Sequence, residues 1–326
     1  MKRILFSLLL FAVIGTLHQP LPAAPAFDPP AGVHVGFFDS SLRPHGEWIE
    51  ARPGFVVWRP FNVKPHWRPY MLGRWAWTDD YGWYWISDEP FGWVTYHYGR
   101  WYCDDYYGWV WVPDDTWGPA WVEWCNNDAY VGWAPLPPYA VFDMHAGIHF
   151  TTEWHAPAHY WNFIPYARFG GAVRYRDFVP EHNVGVIIHG GHFGRTYDVH
   201  GEIIINHGFD RTFIERHGGI HVDHFNVHEL RTAQGERIGD GRQIEVYRPN
   251  RTELQRDNEH IDIKRGDRNV MIDIKHVERA QTIPNSRPSH ETIQPRQRVV
   301  RTAPVRQQER RQELLQRYEK QFPVGV

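Results

Sequence analysis

The sequence predicts a mainly β protein. A Trp-rich antiparallel β-repeat domain, a meander or small barrel, is followed by a small α+β section and a polar, partly disordered C-terminal tail. Three observations predict it. All seventeen Trp of the 326 residues lie between Trp48 and Trp161, fifteen of them between Trp48 and Trp133. Within that stretch Trp recurs at period two: Trp75 with Trp77, Trp83 with Trp85, and Trp109 with Trp111 each share one strand face. A segment also repeats, as Gly46-Glu47-Trp48, Gly73-Arg74-Trp75 and Gly99-Arg100-Trp101, at offsets of 27 and 26 residues. The mean hydropathy of -0.56 excludes a membrane bundle as the reason for so many aromatics.

In chain order, Lys2 and Arg3 precede an apolar run from Ile4 to Leu17, and Ala24-Pro25-Ala26 follows. Residues 1–26 therefore read as a secretory signal peptide, and the protein as exported, periplasmic or secreted. The run is shorter than the roughly 20 apolar residues of a spanning helix, and no transmembrane segment is expected. Residues 27–138 form the Trp-rich region. Each unit reads as three short extended pieces: the Gly-x-Trp segment, a second strand such as Gly82-Trp83-Tyr84-Trp85, and a third piece. The third pieces are Trp67-Arg68-Pro69-Tyr70, Trp93-Val94-Thr95-Tyr96 and Trp121-Val122-Glu123-Trp124. Asp79-Asp80-Tyr81-Gly82 and Asp104-Asp105 supply turn chemistry between strands.

Residues 139–250 change character and hold thirteen of the 21 His. Val184–Ile188, Ile203–Ile205 and Ile220–Val227 read as strands. Asp210–His217 reads as a helix with Asp210 as N-cap and Gly218 as its left-handed stop. Residues 251–326 form the tail. Ile261–Lys264 and Ile272–Lys275 suggest a hairpin, Ala280–Pro304 reads as disordered, and Gln307–Lys320 as a charged helix.

Charge is divided along the chain. Residues 1–230 carry 15 Lys and Arg against 24 Asp and Glu, a net of −9, and residues 231–326 a net of +6. The mixed signs within the tail favour folding against its own body over a polyanion partner, and no nucleic-acid partner is expected. Cys103 and Cys125 are the two cysteines. In an oxidising compartment they could close a loop of about 20 residues, contributing ~3 kcal/mol, or could remain buried thiols.

Several segments carry a family resemblance. They are Gly73-Arg74-Trp75, Tyr81-Gly82-Trp83-Tyr84-Trp85, Tyr98-Gly99-Arg100-Trp101, Tyr107-Gly108-Trp109-Val110-Trp111 and Gly132-Trp133-Ala134-Pro135-Leu136-Pro137-Pro138. Over roughly residues 40 to 250 the chain resembles an uncharacterised family of exported bacterial proteins, a domain of unknown function with Tyr-Gly-Trp-x-Trp repeats. The resemblance implies an exported, aromatic-rich, envelope-associated protein, and it brings no activity, cofactor or catalytic residue. The first repeat departs from the pattern, since Val56-Val57-Trp58 lacks the second Trp.

Trp77, Trp83, Trp85, Trp109 and Trp111, with Arg74 and Arg100, are the candidate ligand-binding residues: indoles stack on sugar rings, and arginines at strand ends take hydroxyls. Large aromatics are mostly core, so each Trp is first a packing residue, but fifteen cannot all be enclosed in so short a stretch. Asp79-Asp80, Asp104-Asp105 and Asp114-Asp115 occupy equivalent turns, which argues for turn formation over Ca²⁺ binding or acid–base catalysis. His221 and Asp223 are weak metal candidates. His224 and His228 would point to the opposite strand face, and convergent ligands are what a metal site requires. No cofactor is expected.

Catalytic signatures are missing. After Phe27 the serines are Ser40, Ser41, Ser87, Ser286 and Ser289, none in a nucleophile elbow, and His228-Glu229-Leu230-Arg231-Thr232 lacks the second His of a zincin helix. Cys103 with His97 imitates a thiol enzyme only weakly, and Arg265-Gly266-Asp267 reads as an accidental adhesion motif in the predicted hairpin turn. The reading is therefore an exported, non-enzymatic protein whose aromatic β surface contacts an envelope or extracellular polymer, a glycan first. The alternative is a structural or assembly protein binding an envelope protein, and a glycosidase comes third.

Overall fold

In the computed structural model, described over residues 33–143, 147–194, 197–200, 203–231, 235–255, 260–277 and 281–282, the Trp-rich stretch folds as four antiparallel hairpins. They pair Gly46–Arg52 with Phe55–Pro60, Gly73–Thr78 with Gly82–Ser87, Arg100–Asp104 with Gly108–Val112, and Val122–Asn126 with Tyr130–Pro135. The signal segment 1–26 and the Gln307–Lys320 helix lie outside the described residues. Of Ala280–Pro304 only Gln281 and Thr282 are described, and they pair in parallel with Val33 and His34.

The register explains the repeat. In every hairpin one Trp faces another across the strands: Trp48 and Trp58, Trp75 and Trp85, Trp101 and Trp111, Trp124 and Trp133. Two glycines close each of the first three hairpins. The residue ending the second turn, Gly82, has φ 66°, and Gly54 and Gly108 repeat it at 73° and 70°, a conformation that disfavours any Cβ. The glycine opening the strand lies under the facing indole. A Cβ on Gly73 would sit 2.8 Å from Trp85 Cζ2, and one on Gly99 2.6 Å from Trp111 Cε2.

The repeat unit is thus a two-stranded hairpin, and the predicted third extended piece is corrected. Trp67–Tyr70 lies in an irregular loop, Gly92–Thr95 is a single helical turn, and only Val122 onward enters a strand, opening the fourth hairpin. The helical turn puts Val94 and Tyr96 into the core, so packing overrides the β preference of Val and Thr.

The hairpins are shared among three sheets. Trp58 pairs with Trp111, which joins the first and third hairpins, and Ile263–Arg265 adds a parallel strand along Trp48–Glu50. The predicted hairpin between Ile261–Lys264 and Ile272–Lys275 therefore does not form. Ile261 and Ile272 are both buried, and that anchoring draws the segment across the first hairpin's edge. The second hairpin is extended by Ile203–Asn206 and His224–Leu230, and the fourth by Asn162–Pro165 and His192–Gly194.

Two readings in the His-rich section shift. Val184–Ile188 is not a strand but part of a helix, Glu181–His189, which buries Val184 and Ile187 at i,i+3 spacing and leaves Val186 exposed. The helix at Arg211–Gly218 forms with Asp210 accepting from the Phe213 amide, as predicted, but its left-handed residue is Gly219 (φ 59°), one later than expected. The strand expected over Ile220–Val227 runs from His224 to Leu230.

Indoles make the core. Trp75 lies 4.5 Å from Trp124 and 5.2 Å from Trp85, centroid to centroid, and Phe169 packs against Trp75, Trp83, Trp124 and Trp133 together. Such pairs contribute roughly 0.5–1.5 kcal/mol each beyond burial. The protein is mostly β, the described residues belong to one compact unit, and none of their helices is long and apolar enough to cross a membrane.

Candidate functional site

The predicted aromatic platform is not on the surface. Of the fifteen Trp between residues 48 and 133, eleven are buried and the other four, Trp77, Trp93, Trp109 and Trp117, are half-buried. Trp83, Trp85 and Trp111 are 0% exposed, which removes them as ligand contacts. Both faces of the second hairpin are covered, since the neighbouring Tyr84 is buried as well. Trp77 rests on Trp83 and Trp109 on Tyr160. Arg74 is half-buried. Arg100 is buried, donates to the carbonyls of Ala140 and Gly99, and holds its Cζ 3.7 Å from the Trp121 ring centroid. These residues form core, not one outward surface.

The other candidates form no site. His221 is highly exposed and lies 3.3 Å from Glu215 and 4.0 Å from Asp223, while Asp223 also bonds Arg242 at 3.0 Å. Among the described residues no three His, Cys, Asp or Glu converge on a metal position. Cys103 and Cys125 are free thiols, and burial pushes both up to about 12. His97 is not available to Cys103, because its ring nitrogens contact Gly118 O and Glu236 Oε2, each at 2.8 Å. Asp104 accepts from the amides of Tyr106, Tyr107 and Met271, and Asp114 from Thr116. These are turn and tethering roles. Arg265 ends the edge strand and Gly266-Asp267 leave it, the Gly266 amide donating to Glu50 O.

A groove lies elsewhere, at the loop between the first and second hairpins. Three non-glycine residues of that loop are left-handed: Asn62 (φ 54°), His66 (φ 61°) and Tyr70 (φ 64°). Each such residue costs on the order of 1 kcal/mol or more and persists only where its surroundings impose it. Here they do. Asn162 Nδ2 donates to Pro69 O at 2.8 Å, Trp133 Nε1 to Tyr70 O at 3.0 Å, and the Tyr70 hydroxyl to Tyr96 O at 2.9 Å. The facing wall is the segment from Tyr175 to His182, a 3₁₀ turn running into the Glu181–His189 helix.

Between them is a cavity of about 710 Å³, lined by His66, Arg68, Tyr175, Phe178, Glu181 and His182 among others. That volume falls within the range of small-ligand sites. A second recess, beside Arg100 and Asp114, has only about 20 Å³, room for about one water.

Arg68 is the unusual member. It is 5% exposed, its Nε donates to Asn162 Oδ1 at 2.6 Å, and its Cζ lies 5.7 Å from the Phe178 ring centroid. Among the described residues its terminal amino groups make no hydrogen bond and no carboxylate comes within ion-pair distance. Burial lowers its pKa to about 10, with Glu181 acting from a distance in the opposite sense. Lys64 Nζ stands 4.9 Å over the Tyr175 ring. A fixed cation beside aromatic rings can hold a polar or anionic ring-bearing ligand. One signal for Arg68 was present in the sequence: it occupies the repeat position filled by Val94 and Val122 in the other two units.

Fold and groove together define a mainly β protein with a preformed cleft beside a Trp-paired hairpin array. Residues 39–140, which contain all four hairpins, match a family of unknown function (DUF6600). The match includes Arg68 and ends before Asn162 and the Tyr175–His182 wall. No curated protein and no solved structure matches the chain.

Proposed function

We propose that the protein is an exported, non-catalytic binding protein that holds a saccharide segment of an envelope or extracellular polymer in the groove between residues 61–72 and 175–182. The observation that carries this reading is the cleft itself, with aromatic rings at Tyr175 and Phe178 beside a buried cation on a loop held in strained geometry. Ring faces of a pyranose suit Tyr175, and hydroxyls suit Arg68, His66 and His182. Export rests on the Lys2-Arg3 and apolar pattern at the start of the sequence. The indoles back the groove through Phe178, whose ring packs on Trp133.

Glycan-array binding by the full chain tests the reading, with Tyr175→Ala as control. The half-buried Tyr175 ring is expected to carry at least a ten-fold share of the affinity, with the thermal midpoint unchanged. A blank array, or unaltered binding by the variant, would remove the groove from consideration. A second reading, assembly through protein contacts, draws on Val186 (64% exposed) and Phe193 (54% exposed) along residues 181–194. Stable co-purification of another envelope protein, lost in Val186→Asp, would favour it.

A further inference from the structure

We infer that the groove selects a carboxylate-bearing saccharide, a uronic acid, with Arg68 as the residue that reads the carboxylate. The inference rests on the saccharide reading above and narrows it to one chemical class. Two independent features of the same cavity carry it. The first is the Arg68 side chain, 5% exposed as a residue, fixed at Nε by Asn162, with both terminal amino groups free of protein hydrogen bonds among the described residues and open to the groove. A largely enclosed cation gains from an anion in the groove, and its planar fork of N–H donors matches a carboxylate in a bidentate pair.

The second is the start of the nine-residue helix Glu181–His189. Its N-cap is Pro180, which provides no side-chain acceptor, and Pro180, Glu181 and His182 all line the cavity. The helix dipole favours negative charge there. The two features face one space of about 710 Å³, with Phe178 beneath the guanidinium and Tyr175 beside Lys64. A sugar ring on Tyr175 would present its carboxylate to Arg68.

Glu181 sets the charge limit. Its carboxylate lies in the first turn of the helix and acts on Arg68 through space without forming an ion pair among the described residues. A ligand with one negative charge per ring gains more from Arg68 and the helix end than it loses to Glu181. A dianionic phosphate would meet the greater repulsion.

The experiment is titration calorimetry on the full chain with an oligogalacturonate and with its methyl ester, which share ring, linkage and length. The acid is expected to bind about 10- to 100-fold more tightly than the ester, as for hydrogen bonds to a charged group. Arg68→Met should equalise the two, and Arg68→Lys should recover only part of the preference. Should Arg68→Met fail to fold, Glu181→Gln gives the opposite sign from an exposed position, with tighter binding of the acid and unchanged binding of the ester. Equal binding of acid and ester by the unaltered chain overturns the carboxylate inference and leaves the saccharide reading standing. Binding of neither overturns the inference, and the array result then decides the wider reading. Tighter binding of a glycerol-phosphate oligomer would reassign the anion and overturn the uronate.

Discussion

His97 donates from Nδ1, because the group 2.8 Å away is the Gly118 carbonyl, which only accepts. The contact between Nε2 and Glu236 Oε2, also 2.8 Å, then holds one proton. Burial raises the pKa of Glu236 against the pull of His97, and its Oε1 has no hydrogen-bond partner among the described residues. A buried carboxyl with one oxygen on His97 and the other unsatisfied depends on that single contact. Glu236→Gln keeps a hydrogen-bonding group of the same shape against His97 and should cost under ~1 kcal/mol in urea unfolding, whereas Glu236→Ala should cost about 2 kcal/mol or more. Equal losses would show that the contact with His97 adds nothing beyond the packing of the side chain. Glu89 behaves differently. Burial raises it to about 7, although the Tyr96 hydroxyl and Trp67 Nε1 donate to it. Between its ordinary 4.5 and 7 the folded chain keeps a proton that the unfolded chain has lost. Its contribution is thus complete below pH 4.5 and is lost as pH rises through 7, by at most about 3 kcal/mol. Relative to the natural protein, Glu89→Gln should flatten the stability–pH curve in that window, and parallel curves would contradict it.

At the scale of the element, each of the first three hairpins is a Trp pair closed over two glycines, and the glycines differ in what they exclude. Gly54 and Gly99 are both left-handed, at φ 73° and 62°. A Cβ on Gly54 meets nothing within 4 Å, whereas one on Gly99 meets the Val112 carbonyl oxygen at 2.3 Å and the Trp111 indole at 2.6 Å. Gly54→Ala should therefore cost about 1 kcal/mol, the conformational term, and Gly99→Ala about 2–4 kcal/mol, with overpacking added. Equal midpoints in denaturant would show that the strand backbone at Val112 and the indole both yield freely. These hairpins were legible because period two and the Gly-x-Trp spacing report directly on strand faces. The third piece was misread for a physical reason: Trp67 and Tyr70, Trp93 and Tyr96, and Trp121 and Trp124 are three apart, a spacing that suits a turn as well as a strand. Val184–Ile188 was misread on β-branched composition, although Pro180-Glu181 before it and Gly190 after it are a helix start and stop. The groove was illegible because its parts are far apart in the chain, Arg68 reaching Asn162 and facing Tyr175–His182, and only the charge replacing Val in the repeat marked it.

For the whole molecule, the composition change near residue 139 separates two chemistries but not two folding units. Each hairpin sheet is finished by later chain: Asn162–Pro165 on the fourth hairpin, Ile203–Asn206 on the second, Ile263–Arg265 on the first. Phe169 sits among Trp75, Trp83, Trp124 and Trp133, so the Trp core is itself incomplete at residue 140. Tethers from the far end repeat the point, with Tyr107 donating to Arg268 O at 2.6 Å and the Asp273 amide to the Tyr139 hydroxyl at 2.9 Å. A fragment of residues 39–140, the span of the family match, would expose open strand edges and several indoles at once. It should bind a hydrophobic dye, lack the near-ultraviolet circular dichroism of fixed aromatics, and unfold without a sharp transition. A chain carried through residue 282 should unfold in one cooperative step, with near-ultraviolet and far-ultraviolet signals coincident. A sharp, dye-free transition in the 39–140 fragment would show instead that paired indoles alone close the core, and that the later strands are additions to a finished domain.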